Sequence, residues 1–302
     1  MITNICDANN TNPHLQLIGD ECEYHHEEAD VKIISYLLKL APQRRHIQVL
    51  ADDTDIFILL VFFFWLYKPN SQLSMKKFNG KVIDINATAM KLGDRSLNLL
   101  AMHALSGCDT VSYPFGKGKV SALNVVLDRD IGLQVFADPS AHEKEWMKAG
   151  MDFLSILYSG HLAESLNDLR FKLFSKRKEP PKIKTLPSTT KAAIEHVKRA
   201  RLQVLTWRAA DQIDPPSADI SAFGWKMEGG IPVPVRGAVV APKELLQLVA
   251  CGCKTCSRSN CSCRSAGVSC TPYCKCEATD CANVYTQKDD DVSTDTDGEQ
   301  EV

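Results

Sequence analysis

Apolar residues recur along the first two thirds of the chain at spacings that define separate elements. Between Asp30 and Leu40, Ile33, Ile34, Leu37 and Leu38 fall on one helical stripe, which predicts a helix. His46 to Ala51 is short, β-branched and apolar and reads as a strand. The acidic turn DDTD follows, and then an apolar run from Ile56 to Tyr67. That run is well short of the about 20 residues that span a bilayer, so it predicts a helix buried in protein. Lys77 to Ile85, with Asn79-Gly80 at its centre, has the turn chemistry of a hairpin. Arg95 to Leu105 is helical in pattern. So is Thr190 to Ala210, with Ile194, Val197, Leu202 and Leu205 as its apolar positions and a cap available at Ser188 to Thr190. Helix, strand, acidic turn and helix in this order predict an α/β layer architecture with a largely parallel central sheet. No internal repeat is present.

Composition divides the chain further. Its 302 residues, 44% hydrophobic, can supply one sizeable core and smaller pieces besides. Residues 1–165 form the expected α/β domain. Between Lys172 and Arg208 there are eleven Lys or Arg against two Glu, so residues 166–210 read as a basic helical segment. Residues 211–246, with five prolines between Asp211 and Pro242, read as an extended linker that places a domain boundary near residue 211. Residues 247–285 are cysteine-rich. Residues 286–302 carry acidic residues without an aromatic, which predicts a disordered tail. The N-terminus, MITNICDANNTNPH, lacks the basic start and apolar run of a signal peptide, so the expected location is not secreted, with reduced or metal-bound cysteines. Lys176 to Lys178 offer a short basic run compatible with nuclear import.

Cys6, Cys22 and Cys108 are scattered, but Cys251, Cys253, Cys256, Cys261, Cys263, Cys270, Cys274, Cys276 and Cys281 fall within 31 residues. Nine ligands exceed what two separate four-coordinate zinc sites consume. A cluster of about three Zn2+ balances, because its roughly twelve coordination positions can be filled by six terminal and three bridging thiolates. In each C-x-C pair the side chains point apart, so one pair can serve two neighbouring metals. With few large apolar side chains, this segment should fold only with metal. A disulfide knot and an unordered cysteine-rich tail are the rival readings. The run CGCKTCSRSNCSCRSAGVSCTPYCKCEATDCAN resembles the tesmin-type CXC domain in its C-x-C openings, its Ala-Gly-Val before a cysteine and its closing Cys-Ala-Asn. It departs from that pattern in having two residues between the second and third cysteines, and Asn260 where an aromatic is usual. The resemblance implies DNA binding and a nuclear location, with Lys254, Arg258, Arg264 and Lys275 as phosphate contacts. A zinc-stapled surface for protein partners, of unspecified identity, is the alternative.

Three acidic clusters complete the candidate chemistry. Glu27, Glu28 and Asp30 open a helix, Asp52, Asp53 and Asp55 end a strand, and Asp109 follows a helix. Taken singly, each has an ordinary explanation in helix dipoles and turns. In order, EEAD, DDTD and GCD followed by GKGK resemble the latter half of a PIN-like nuclease domain of the flap endonuclease type. That resemblance implies Mg2+ or Mn2+ bound by Glu28, Asp30, Asp53, Asp55 and Asp109, and a DNA phosphate gripped at Gly116 to Lys119 through Lys117 and Lys119. Such domains also use carboxylates from an earlier strand, and Asp7 lies in an Asn-rich segment without strand pattern, so the resemblance implies an incomplete site that binds without cutting. A complete, active nuclease is the alternative if the missing half lies upstream. The wider run from HEEAD to TWRAA, FGW and CGCK resembles uncharacterised animal proteins that pair a PIN-like domain with a CXC module. His103, among Ala, Met and Leu, reads as a core histidine, and Cys108 has no base partner that would make it a nucleophile.

Overall fold

The computed structural model describes residues 25–175, 183–215, 217–236 and 250–283, without 258–260, 266–267, 272–273 and 279–280. Asp7, Cys6, Cys22, Lys176 to Lys178, Arg258 and the acidic tail lie outside the described residues. Two units are present, residues 1–237 and residues 238–302.

In the first unit, α1 (Ala29–Leu40), β1 (His46–Leu50) and α2 (Thr54–Tyr67) follow in the predicted order. Asp53 caps α2 by accepting the Asp55 N–H at 2.9 Å, so the DDTD turn is where strand stops and helix starts. A helix apolar on every side belongs in the centre of a core. Accordingly Ile58 through Phe64 are all buried, with Phe62 and Phe63 edge to face at 5.2 Å. No helix among the described residues is long and apolar enough to cross a membrane.

The sheet is smaller and more mixed than expected. β1 pairs in parallel with β2 (Gln72–Lys76), but β2 pairs antiparallel with β3 (Val82–Asp84), in the order β1-β2-β3. The expectation of a largely parallel sheet is therefore corrected: the Asn79-Gly80 turn lies where expected, and the two strands it joins, β2 and β3, pair antiparallel. Gly80 takes the positive φ of 89° that the turn requires, and the Asn79 side chain accepts the Lys81 N–H at 3.0 Å. The hairpin's first strand precedes Lys77, contrary to the expected span of Lys77 to Ile85; in Gln72–Lys76 only the alternate residues Leu73 and Met75 are apolar and buried, a short signal. After it come α3 (Ile85–Leu92), a 3₁₀ turn over Gly93–Asn98, and α4 (Leu99–Leu105), so the segment from Arg95 is helical in two geometries.

Beyond α4, α5 (Lys119–Asp128), α6 (Glu143–Ser159), α7 (Leu166–Ser175) and α8 (Thr190–Arg208) complete the helical layer. The basic segment is not an appendage. α8 packs against α4 and α6, and its buried stripe is Ala193, Val197, Ala200, Val204 and Trp207. Of the predicted apolar positions only Val197 is buried; Ile194, Leu202 and Leu205 are half-buried. Small residues let the backbones approach: a Cβ added at Gly150 of α6 would sit 2.7 Å from Val197 Cγ1. Arg201 is buried too. It donates to the carbonyls of Val135 (2.9 Å), Phe136 and Asp138 (2.7 Å), satisfying the end of the 3₁₀ turn Leu133–Ala137.

The expected boundary near residue 211 is likewise overturned. Ser35 Oγ donates to the Ala210 carbonyl at 2.6 Å, and the His25 N–H donates to that of Ile213 at 3.0 Å. The hairpin β4 (Trp225–Glu228) and β5 (Ile231–Pro234) follows, where an extended linker was expected. Arg199 of α8 donates to the Gly224 carbonyl at 3.1 Å, so this hairpin stays with the first unit.

Candidate metal centre and carboxylate cluster

The second unit has almost no regular structure among its described residues beyond the one-turn α9 (Ser262–Ser265). Its interior is sulfur: eight of the nine clustered cysteines are buried and Cys253 is half-buried. Main-chain bonds tie separate segments of this module together, from Lys275 N–H to the Cys251 carbonyl at 2.9 Å, Cys270 N–H to that of Asn283 at 2.7 Å and Ala282 N–H to that of Thr255 at 3.0 Å. Cys256 takes a left-handed φ of 49°, and its side chain is buried.

Cys251, Cys256 and Cys270 form a triangle of sulfurs with edges of 3.4, 3.6 and 3.8 Å. Cys263 and Cys274 lie 3.6 Å apart. A disulfide would bring two sulfurs to about 2.0 Å; these are unbonded thiols at the spacing of ligands around shared metals. Four groups of four sulfurs, all within 4.8 Å of one another, cover all nine cysteines: 251/261/263/270, 251/270/274/276, 251/253/256/261 and 256/270/276/281. These buried groups can hold metal ions, and zinc suits an all-thiolate set. Burial and bonds from neighbouring thiols push the Cys256 thiol far up, whereas the Arg264 backbone N–H draws Cys261 down to about 7. Burial opposes ionisation of Cys274, but bonds including the Thr271 N–H outweigh it and hold the group at about 6. Without cations so many thiolates cannot be charged together. Around the cluster Lys254, Arg264 and Lys275 are exposed.

In the first unit the five expected carboxylates lie close enough to act on one another's charge, although no three of their oxygens lie within 4.8 Å of one another. Glu28 and Asp30 open α1, Asp53 and Asp55 open α2, and Asp109 follows α4 on a turn. Gly107 makes that turn possible: it holds φ 104°, and a Cβ there would lie 2.4 Å from that of Tyr113. Burial, then repulsion from Asp53, Asp55, Glu28 and Asp109, raises Asp30 to about 6. Burial also raises Glu28, partly offset by hydrogen bonds from Gln203 and Trp207. Gln203 Nε2 reaches both Glu28 oxygens, at 2.9 and 3.0 Å, and Thr110 donates to the other end of the Gln203 amide at 2.5 Å. Asp55 is opposed by burial, but the bond and charge of His103 bring it below its ordinary value. The His103 Nε2 lies 2.6 Å from Asp55 Oδ1.

His103 is thus in the core as expected, yet it is also the partner of an acid in the cluster. Lys119 is not free for a phosphate: its ammonium donates to the carbonyls of His103, at 2.7 Å, and Gly107, and burial lowers it to about 8. Lys117 lies over the Tyr158 ring at 5.4 Å. Gln203 and Trp207 are participants that sequence reasoning missed, because only folding brings α8 to residues so distant in the chain. Among the described residues, the groups of three or more His, Cys, Asp or Glu ligand atoms within 4.8 Å of one another are cysteine groups.

The raised pKa of Asp30 has a measurable consequence. Above about pH 6 the folded protein carries the full penalty of this ionised carboxylate, and below the ordinary value near 4 it carries none, so its contribution to stability falls as pH rises between the two. Asp30→Asn should therefore stabilise the metal-free protein at pH 7.5 by about 1–2 kcal/mol after allowance for its half-exposed position, and by nothing below pH 4. Urea unfolding at the two pH values, with chelator present, measures the difference. An effect independent of pH would mean that the repulsion is absent.

Comparison with protein-family models, with curated proteins and with solved structures gave no match to this chain.

Proposed function

We propose that this protein holds a cluster of about three zinc ions in its cysteine module and contacts nucleic acid, with DNA as the class, from a nuclear location. One observation carries the metal assignment: the Cys251, Cys256, Cys270 triangle. Two sulfurs on one tetrahedral zinc lie about 3.8 Å apart, so each edge of this triangle can be spanned by one ion. The ion on the Cys251–Cys256 edge takes Cys253 and Cys261. The ion on the Cys256–Cys270 edge takes Cys276 and Cys281. For the Cys251–Cys270 edge this leaves Cys263 and Cys274, 3.6 Å apart, each of which shares a four-sulfur group with that edge, Cys263 alongside Cys261 and Cys274 alongside Cys276. Each of the nine clustered cysteines is then used, with the triangle bridging and the other six terminal.

The nucleic-acid part of the reading is supported by the likeness to tesmin-type CXC domains and by the exposure of Lys254, Arg264 and Lys275. In the first unit, the gathering of five carboxylates favours a second reading, a site for Mg2+ or Mn2+ of the PIN-like kind. Glu28 and Asp55 already hold protein partners, which supports binding without hydrolysis. The test uses the zinc-loaded full chain with random-sequence single-stranded and duplex DNA. Binding should weaken at least about tenfold between 50 and 200 mM salt, and further on replacing Lys254, Arg264 and Lys275 with Gln. No binding at the lower salt would favour a protein-interaction module. DNA cleavage in Mn2+ that Asp53→Ala or Asp109→Ala abolishes would establish the nuclease instead.

A further inference from the structure

A cleft of about 320 Å³ opens in the first unit between the loop after Asp109, the α6–α7 pair and the start of α8. Three cations line it, Arg170, Lys184 and Arg199, and no carboxylate does. None of the three forms an ion pair among the described residues. Arg170 spends one N–H on the Pro187 carbonyl at 2.6 Å, and Arg199, over the Trp225 ring at 5.9 Å, spends one nitrogen on the carbonyls of Gly224 and Val235, which leaves the other nitrogens of each guanidinium to donate. Glu195, whose charge acts on Arg199, has one oxygen 3.8 Å from Lys198 and the other beside Gly224, where Arg199 also donates, at more than ion-pair distance.

Aromatic rings supply the other half of the lining. Tyr113, 76% exposed, and Phe115, 43% exposed, stand on the loop at the mouth, and Tyr158 forms part of the wall. Lys184 sits 4.5 Å from the centre of the Phe115 ring. The floor includes His196, which burial keeps neutral down to about pH 4 while its ring bonds the Leu105 carbonyl at 2.9 Å, so it contributes shape rather than charge. Two large exposed rings thus stand beside three cations in one concave site, which is the lining that stacking and phosphate binding require.

We infer that this cleft binds a nucleoside phosphate, its base stacked on Tyr113 or Phe115 and its phosphate held by Arg170, Lys184 and Arg199, as one nucleotide of a single strand. Stacking platforms beside cationic grooves are how single strands are held without base preference. Position supports a strand as the source. On α8, His196 at the cleft and Gln203 at the carboxylates are seven residues apart, roughly 10 Å along the axis, so a strand anchored here can continue toward the acidic cluster. This inference rests on the nucleic-acid reading above and gives the first unit its own part in it.

The experiment takes the zinc-loaded full chain and a thymidylate dodecamer carrying one iododeoxyuridine. Irradiation should join the strand to Tyr113 or Phe115, identified by peptide mass spectrometry. Tyr113→Ala with Lys184→Glu, both at exposed positions, should leave the melting temperature unchanged and weaken binding about tenfold in fluorescence anisotropy. Thymidine monophosphate that protects the loop as well as the dodecamer does would make the free nucleotide the source, with the site upheld. If the dodecamer binds but joins only other surfaces and the double variant binds equally well, the cleft is not the site while DNA binding stands. If neither dodecamer nor monophosphate binds, both readings fall.

Discussion

Cys270→Ser should strip the cysteine module of most of its zinc, whereas Cys253→Ser should remove no more than one ion. The contrast follows from the number of edges each sulfur serves. Cys270 lies on two edges of the central triangle and belongs to three of the four groups, while Cys253 belongs to one and is the least buried of the nine. A serine oxygen is a poor substitute for a thiolate that must bridge. In the three-ion arrangement proposed above, losing Cys270 would leave two ions short of a ligand, and the third would hold a chain with only a few main-chain bonds besides. Structural zinc sites contribute about 10–16 kcal/mol of apparent binding free energy, which here is also folding free energy. The thiols' own electrostatics set the pH dependence: protons compete with metal for thiolates, so acidification should release zinc, and re-neutralisation with zinc should restore it. Native mass spectrometry of the full chain counts the ions, and limited proteolysis after residue 250 reads the module's order. Equal zinc loss from the two variants would refute the shared triangle.

What the sequence disclosed, and what it withheld, follows from how local each determinant is. α1, β1 and α2 were legible because their patterns are strong and adjacent, and the Asp53 cap sits where strand chemistry gives way to helix. The Asn79-Gly80 turn is legible for the same reason, but the helix–strand–helix order around it favours parallel pairing and masks the antiparallel pair that the turn closes. α8 shows the limit. Its buried stripe relies on Ala193 and Ala200, which carry little apolar signal, while the more conspicuous Leu202 and Leu205 are half-buried. Its basic composition pointed toward solvent, yet Arg201 is inside the core, bonded to carbonyls from a turn more than sixty residues earlier. The cysteine spacing revealed how many ligands exist but not which are shared, because sharing depends on Cys251 and Cys270 meeting across nineteen residues. Likewise five carboxylates were visible as caps and turn residues, but Gln203 and Trp207, which hold Glu28 among them, come from the other end of the unit.

Trp207→Ala is expected to cost the first unit about 3–5 kcal/mol, the range for deleting a large buried aromatic and a substantial part of a domain's stability. Trp207 is 2% exposed, and its ring lies 5.8 Å from that of His103, so removing it opens a cavity directly beneath the carboxylates. It also removes a donor from Glu28, leaving Gln203 alone to support that buried charge. The damage should therefore exceed the loss of packing and should ease when Glu28 is made neutral: Glu28→Gln in the Trp207→Ala background should recover about 1 kcal/mol. Leu202→Ala is the matched control on the same helix. Leu202 is half-buried and stands outside the buried stripe, so its cost should be no more than about half as large. Chemical denaturation of the three variants separates two structures of the chain. If Trp207→Ala and Leu202→Ala are equally mild, α8 is the appended basic segment that its composition suggests. A large cost at Trp207 with a small one at Leu202 requires α8 to be a wall of the core, with Glu28 and its neighbouring acids held in place from that wall.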